Sequence, residues 1–297
     1  MSALSKKLEY YEKAGQIVKN TLQKTMRLLH AGASILDIAE LTEREIVRRG
    51  GIPAFPSNVS VNGAVAHNTP SADDVTQVEK ADMLKIDLGA HSGGYIVDRA
   101  ITCEIETTNN SEMISTAQNA LNEGIRTIRH GVATSTVAEK IESLIASTGF
   151  TPICSCRGHT LKRYTLHGNV SIPICFEEGG ATLLAGDVAA IEVFLTNGVG
   201  KTTATHTEIY SVKVGVDLRD LDVKSRNFAS HLISNYGRMP FAVRWLPGER
   251  DKNVRRIDEL LKYGVLIEYP ATIESSGGLV VHFEQTLAVT KDSYIVF

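Results

Sequence analysis

Four carboxylates set inside strand-like sequence are the residues best able to do chemistry. Asp87 lies in Lys85-Ile86-Asp87-Leu88-Gly89 and Asp98 in Tyr95-Ile96-Val97-Asp98-Arg99. Glu192 lies in Ala189-Ala190-Ile191-Glu192-Val193-Phe194-Leu195, and Glu284 in Val280-Val281-His282-Phe283-Glu284-Gln285-Thr286-Leu287. A single Asp at such a place most often ends a strand or caps a turn. A pair is different. If His91 to Gly94 form a four-residue hairpin loop, Ala90 pairs with Tyr95 and Asp87 directly faces Asp98. Facing residues have Cβ atoms about 4.5–5.5 Å apart, and like charges there destabilise a sheet. Buried carboxylates so placed share protons or bind cations, and the further acids Glu192 and Glu284 favour cations. A histidine would complete an oxygen-rich site. His67, His159 and His167 all sit in polar, loop-like contexts, although a lone His is usually a surface or hydrogen-bonded residue. Four carboxylates and one imidazole suit divalent Mn, Fe, Co or Zn and are enough for two ions.

Two other patterns carry less. Gly198-Val199-Gly200-Lys201-Thr202 looks like part of a phosphate loop, but Leu195 stands where the first Gly belongs, and strand-like sequence follows instead of a helix. Cys154-Ser155-Cys156 beside His159 lacks the spacing and the second cysteine pair of a structural zinc site. Four cysteines, Cys103, Cys154, Cys156 and Cys175, fit a reducing compartment with free thiols.

The elements that must hold the acids are readable. Apolar residues at Tyr11, Ala14, Val18, Leu22, Met26 and Leu29 predict an amphipathic helix over 4–30 that stops at Gly32. A second helix should start at the N-cap Ser34 and end at Gly50-Gly51, with two more near 111–130 and 136–147. Met83 to Ile105 reads as two strands around His91-Ser92-Gly93-Gly94. Between the two later acid-bearing strands, residues 217–264 shift to charged helical patterns and predict an inserted helical subdomain, leaving 1–216 and 265–297 as the main body. Helices followed by acid-bearing strands occur twice, which hints at two related halves.

The 297 residues suffice for a substantial core, and 43% hydrophobic against 22% charged residues excludes a disordered tail or a coiled coil. A formal charge of -3 with no basic block argues against phosphate-backbone binding, so no specific nucleic acid is expected. No apolar run reaches the ~18 residues of a membrane span. The opening Met1-Ser2-Ala3-Leu4-Ser5-Lys6-Lys7-Leu8-Glu9 is charged where a signal peptide needs an apolar core, so a cytoplasmic protein is expected.

At these residues the chain resembles the methionine aminopeptidases, and specifically their type II branch, over most of its length. Asp87 and Asp98, Gly158-His159, Ile191-Glu192 and Phe283-Glu284 match that family's five metal positions. Phe55-Pro56-Ser57-Asn58 leading to Ala66-His67-Asn68-Thr69-Pro70 is similar to its FP…AHYTP segment, with Asn68 in place of the common Tyr. Gly158-His159 to Leu166-His167 is similar to its GHxxxxYxxH segment. The helical stretch at 217–264, with Met239-Pro240-Phe241-Ala242 before Arg244-Trp245-Leu246, resembles the type II insertion, and the lack of a long charged N-terminal extension resembles the archaeal form.

The resemblance implies an α+β pita-bread (creatinase/aminopeptidase) fold: a curved, mainly antiparallel sheet with helices outside and two divalent ions (Co, Mn, Fe or Zn) in a central cleft. It implies bridging by Asp98 and Glu284, with Asp87 on one ion and His159 and Glu192 on the other. Catalytic roles fall to Glu192, to His67 toward the scissile amide and to His167 toward the carbonyl oxygen, and Phe55, Leu166 and Tyr269 would line the methionine pocket. The expected activity is removal of initiator methionine before a small second residue. The expected partners are nascent polypeptide N-termini and the ribosome, for a monomer away from membranes. Ser2 makes the chain's own start such a substrate. The alternatives are a proline-directed peptidase such as prolidase or aminopeptidase P, and a non-catalytic binding protein on the same fold.

Overall fold

The computed structural model describes residues 3–297; Met1 and Ser2, where self-processing is expected, lie outside them. The first half runs α1 (Ala3–Thr25), α2 (Ile35–Arg48), β1 (Ile52–Pro53), β2 (Asn58–Val61), β3 (Met83–Ser92), β4 (Tyr95–Glu104), α3 (Ser111–Arg126) and α4 (Thr134–Ala146). Then come β5 (Thr151–Pro152), β6 (Arg157–Leu161), β7 (Ser171–Pro173), β8 (Val188–Thr196) and β9 (Thr202–Val212). The chain ends with α5 (Val223–Tyr236), β10 (Phe241–Ala242), α6 (Arg250–Lys262), β11 (Leu266–Glu274), β12 (Val280–Val289) and β13 (Tyr294–Val296). No described helix is long and apolar enough to cross a membrane.

Tyr11, Ala14, Val18 and Leu22 of α1 are buried, so the predicted stripe faces the core as far as Leu22. The helix ends earlier than its pattern, giving way to a 3-10 turn at Met26–Leu28, where Met26 is exposed. Ser34 caps α2 as expected, its hydroxyl accepting the Asp37 N–H at 3.3 Å.

The main sheet has ten strands, with the order β1-β3-β4-β12-β8-β6-β7 along its path and β2, β13 and β5 added on β3, β12 and β8. Side chains alternate between its faces. Leu84, Ile86 and Leu88 of β3 share a core with α1 and α2, while Ile191, Val193 and Leu195 of β8 share another with α3 and α4. Asp87 and Glu192 alternate with these residues and so face the other way. A three-stranded sheet, β10-β9-β11, carries α5 and α6. The two helices form a third core that reaches past 217–264 to Tyr210 and Val212 on β9 and to Leu266 on β11.

The hairpin between β3 and β4 is tighter than the sequence reading has it. The strands continue to Ser92 opposite Tyr95, and only Gly93 and Gly94 turn the chain, at φ 59° and 89°. Positive φ at both positions is the two-residue turn that matches strand twist, and glycine adopts it freely. Asp87 therefore faces Ala100, and Asp98 faces Gly89. Because the slip is by two residues, both acids keep the same face but meet diagonally.

One further reading changes, and one is explained. Cys154 and Cys175 form a disulfide, with Cα atoms 5.4 Å apart just beyond the β6–β7 pairing of Arg157 with Pro173, so only Cys103 and Cys156 are free thiols. The Gly198–Thr202 loop does hold an anion, but one of the chain's own. The Glu274 carboxylate accepts the N–H groups of Val199, Gly200, Ser276 and Gly278 at 2.8–3.1 Å.

Candidate metal centre

Antiparallel pairing lays residues of successive strands in rows across the cleft face. In one row Asp87 faces Ala100, Ala100 faces Glu284, and Glu284 faces Glu192. In the next row on that face stand Asp98, opposite Gly89, and His159, opposite Ala190. Each of the five expected ligands thus comes from a different strand of the consecutive run β3, β4, β12, β8 and β6. A directly opposed like-charge pair exists, but it is Glu192 and Glu284 rather than Asp87 and Asp98.

The seam between β4 and β12 has an unusual construction. Only two residue pairs are in register, Ala100 with Glu284 and Arg99 with Gln285. At one end the Thr286 hydroxyl accepts the Asp98 N–H and donates to the Asp98 carbonyl, both at 2.8 Å. At the other the Thr102 hydroxyl accepts the His282 N–H at 2.8 Å and donates to its carbonyl at 2.7 Å. Side chains replace the backbone ladder at both ends, which fixes Asp98 and His282 while letting the strands part.

Two groups of possible ligand atoms result, each with its atoms within 4.8 Å of one another: Asp98, His159 and Glu284, and Glu192, His282 and Glu284. Glu284 belongs to both. Asp87 adjoins them, with its Oδ2 accepting the Asn58 Nδ2–H at 2.7 Å. Buried atoms left without hydrogen-bond partners cluster here: Asp87 Oδ1, Asp98 Oδ1, Glu284 Oε1, His159 Nδ1 and His282 Nε2. Such orphans are rare in folded proteins, so this concentration fits cations held by carboxylate and imidazole.

The protonation energetics agree. Burial, reinforced by Asp87 and Glu192, raises the Asp98 carboxyl well above its ordinary range. Burial, with Asp98, Glu192 and Asp87, does the same to Glu284. Asp87 is pushed up to about 6 by burial, against the pull of His282 and Asn58. Glu192 is also opposed by burial, yet His282, His159 and His167 together hold it below the usual value. Burial lowers His67 and His159, and burial with neighbouring His159 and His67 brings His167 down to about 3. Burial thus favours the neutral form of these three rings, the form that can bind a metal or accept a hydrogen bond.

The acids floor a cleft of about 350 Å³ whose walls include Phe55, His67, Leu166, His167 and Tyr269. Gly89 makes room for Phe55, since a Cβ there would lie 2.3 Å from the ring. His67 has φ 57°, rare for a non-glycine residue, and Tyr269 lies edge-on to its ring at 5.6 Å. Tyr269 also stacks on His167 at 6.1 Å, and its hydroxyl pairs with Ser211 at 3.1 Å. All the residues expected in the site are thus brought to one cleft. The sequence reading missed His282, Asn58, Ile209 and Pro240, which also line it. His282 was within reach, because a strand residue two before Glu284 must share its face.

Residues 9–291 match metallopeptidase family M24. The methionine aminopeptidase of Thermococcus kodakarensis is 38% identical over 286 residues, which cover 94% of this chain and 95% of the relative. Among solved structures, a thermophilic Arx1 superposes with a TM-score of 0.89 at 20% identity, covering 100% of this chain and 91% of that one. The methionine aminopeptidase of Thermotoga maritima gives 0.70 at 20% identity, covering 96% and 93%. At that identity these two structures speak for the fold alone, the pita-bread arrangement. The length of the matches and the identity to the curated relative carry the further step: the chain belongs to metallopeptidase family M24, among the methionine aminopeptidases.

Proposed function

We infer that the chain is a methionyl aminopeptidase, a metal-dependent hydrolase that removes N-terminal methionine from polypeptides whose second residue is small. The observation that carries this is a buried, mutually repelling set of carboxylates in one cleft with an apolar wall of Phe55, Leu166 and Tyr269. Asp87, Asp98, His159, Glu192 and Glu284 are the proposed ligands of two divalent ions (Co, Mn, Fe or Zn), with Asp98 and Glu284 shared. The ions, when bound, polarise the scissile carbonyl and make water nucleophilic at neutral pH.

The chain's own groups do the rest. Tyr269, Leu166 and Phe55 receive the methionine side chain. His67 Nδ1 lies 3.3 Å from the Pro270 carbonyl, which can only accept, so Nε2 is left as the acceptor for the scissile amide N–H. His167, neutral, offers an N–H to the carbonyl oxygen as it gains charge. Glu192, the carboxylate kept ionised by its imidazole neighbours, takes the proton that water loses, and that proton ends on the leaving amine.

The finer proposals are a cytoplasmic monomer acting on nascent chains at the ribosome, with residues 217–264 as a helical subdomain on a catalytic body of 1–216 and 265–297. The core under α5 and α6 supports a subdomain there, one that also draws in Tyr210 and Val212 of β9 and Leu266 of β11. Cleavage of Met-Ala-Ser, Met-Lys-Ser and Ala-Pro-Ser peptides with and without added metal tests the reading. Metal-dependent release of methionine from Met-Ala-Ser, far faster than from Met-Lys-Ser, is expected. Preference for Ala-Pro-Ser would make it proline-directed, and no cleavage with metal bound would make it a binding protein.

A further inference from the structure

His282 has no place in the ligand set above, yet the fold aims it at that set. It stands on β12 two residues before Glu284, opposite Phe194, while Glu284 stands opposite Glu192. These four side chains form a block of two facing pairs on the cleft face. Phe194 stacks on the imidazole at 3.7 Å between ring centres and 13° between planes, and the Thr102 hydroxyl grips the His282 backbone at both its N–H and its carbonyl. The ring is only 2% exposed, and its Nε2 has no hydrogen-bond partner.

We propose that His282 is a sixth protein ligand of the metal centre, its Nε2 closing around an ion together with Glu192 and Glu284. The distances fit this role. Nε2 is 3.6 Å from Glu192 Oε2 and 3.6 Å from Glu284 Oε2, too long for a hydrogen bond to either. Two ligand atoms each about 2.1 Å from one ion stand about 3.4 Å apart at a tetrahedral angle, close to that spacing. A cation there also relieves the direct opposition of Glu192 and Glu284 and satisfies the orphaned ring nitrogen. His282 would then bring a second imidazole to the centre beside His159, each grouped with Glu284. Two nitrogen donors shift the preference of the site from Mn toward Co and Zn, since imidazole suits those ions while carboxylates alone suit Mn.

The inference rests on the aminopeptidase reading only in taking the cleft to hold divalent ions. The test is proton magnetic resonance of the full chain loaded with Co(II), in which the ring N–H of each bound imidazole is shifted far from its ordinary range and vanishes in deuterated water. Wild type should show two such signals and His282→Gln one. Gln keeps a hydrogen-bonding group at this position, so a purely hydrogen-bonding role for His282 would leave the signals unchanged. In chelator competition, the Zn-over-Mn preference should fall at least about 10-fold in His282→Gln. A single shifted signal in wild type, or two retained in His282→Gln, overturns the proposal. If His282→Gln fails to fold, the wild-type count decides alone. Failure of wild type to cleave Met-Ala-Ser would strike at the aminopeptidase reading and leave that count untouched.

Discussion

Asp98 is buried, shares a group of possible ligand atoms with His159 and Glu284 and has an orphaned oxygen, so with metal bound an amide in its place would weaken that group. Asp98→Asn should bind less metal by elemental analysis and lose more than about 100-fold in turnover, beyond the 10–100-fold typical of groups that only support a ligand. Normal metal content with normal activity would remove Asp98 from the centre. The hydrogen bond His67 makes is through Nδ1 to the Pro270 carbonyl, and the ring belongs to neither group of possible ligand atoms. His67→Ala should therefore keep its metal while kcat falls about 10²–10³-fold, the range for losing one preorganised hydrogen bond to the reacting group. Loss of metal in that variant would make His67 a ligand. At this scale much of the site was legible: isolated acids in apolar strands and histidines in polar loops are visible without a structure. Asn58 was not legible, because its partner Asp87 is 29 residues away and only the β2–β3 register joins them.

The elements around the cleft are fastened by two buried carboxylates. Glu43 on α2 accepts the N–H of Ser57 at 3.0 Å and the indole N–H of Trp245 at 2.8 Å, and it pairs with Arg244, whose other nitrogen donates to Thr69 at 2.9 Å. Thr69 in turn donates its backbone N–H to the His67 carbonyl at 3.2 Å, so the stretch before α6 holds the loop that presents His67. Burial pushes Glu43 up and Arg244 down, each toward its neutral form, so the pair does not fully recover its desolvation. Glu43→Leu alone should cost about 3–5 kcal/mol in urea unfolding by stranding Arg244, while Glu43→Leu with Arg244→Met should recover most of it. Equal losses in single and double variants would show that the contacts are independent. Glu274 is the second fastener, and its carboxyl is brought down to about 2: burial opposes ionisation, but Ser276 and the N–H groups of Gly278, Ser276 and Val199 outweigh it. A folded pKa below the unfolded value of about 4.5 contributes stability that is complete above pH 4.5 and lost as pH falls toward 2. Glu274→Gln should thus be less stable than wild type at pH 6, with the gap narrowing between pH 4.5 and 2 in thermal melts. A gap constant with pH would assign the loss to packing. The Gly93-Gly94 turn shows what went unread at this scale: two positive-φ glycines in succession favour the short loop over the longer one assumed, and each cross-strand pair moves with that choice.

Across the whole molecule, strand order was the least legible feature. Helix positions, the acid-bearing strands and the helical stretch at 217–264 follow from periodicity, whereas β12 enters between β4 and β8 from 180 residues away, as the Thr102–His282 bonds show, with no local signal for the place it takes. That insertion leaves β3 and β4 mainly with the α1–α2 core and β8 mainly with the α3–α4 core, although Val188 and Ala190 of β8 reach the first core and Met83 of β3 the second, and the two parts meet along the two-pair seam. Asp87 and Asp98 stand on one side of the seam, and Glu284, Glu192 and His159 on the other. Ions held by the proposed ligands would act as rivets between halves whose backbone stitching is short. Stripping the metal should let the halves breathe, and the amides of Asp98 and His282, which donate to threonine hydroxyls rather than to carbonyls across the ladder, should then exchange with deuterium many-fold faster than the amides inside α1. Uniform exchange rates with and without metal would mean that the two cores hold the seam closed unaided. If the rates diverge, a cell short of metal would hold a population of half-opened molecules more exposed to proteases than the loaded ones, and metal supply would set the lifetime of the protein as well as its activity.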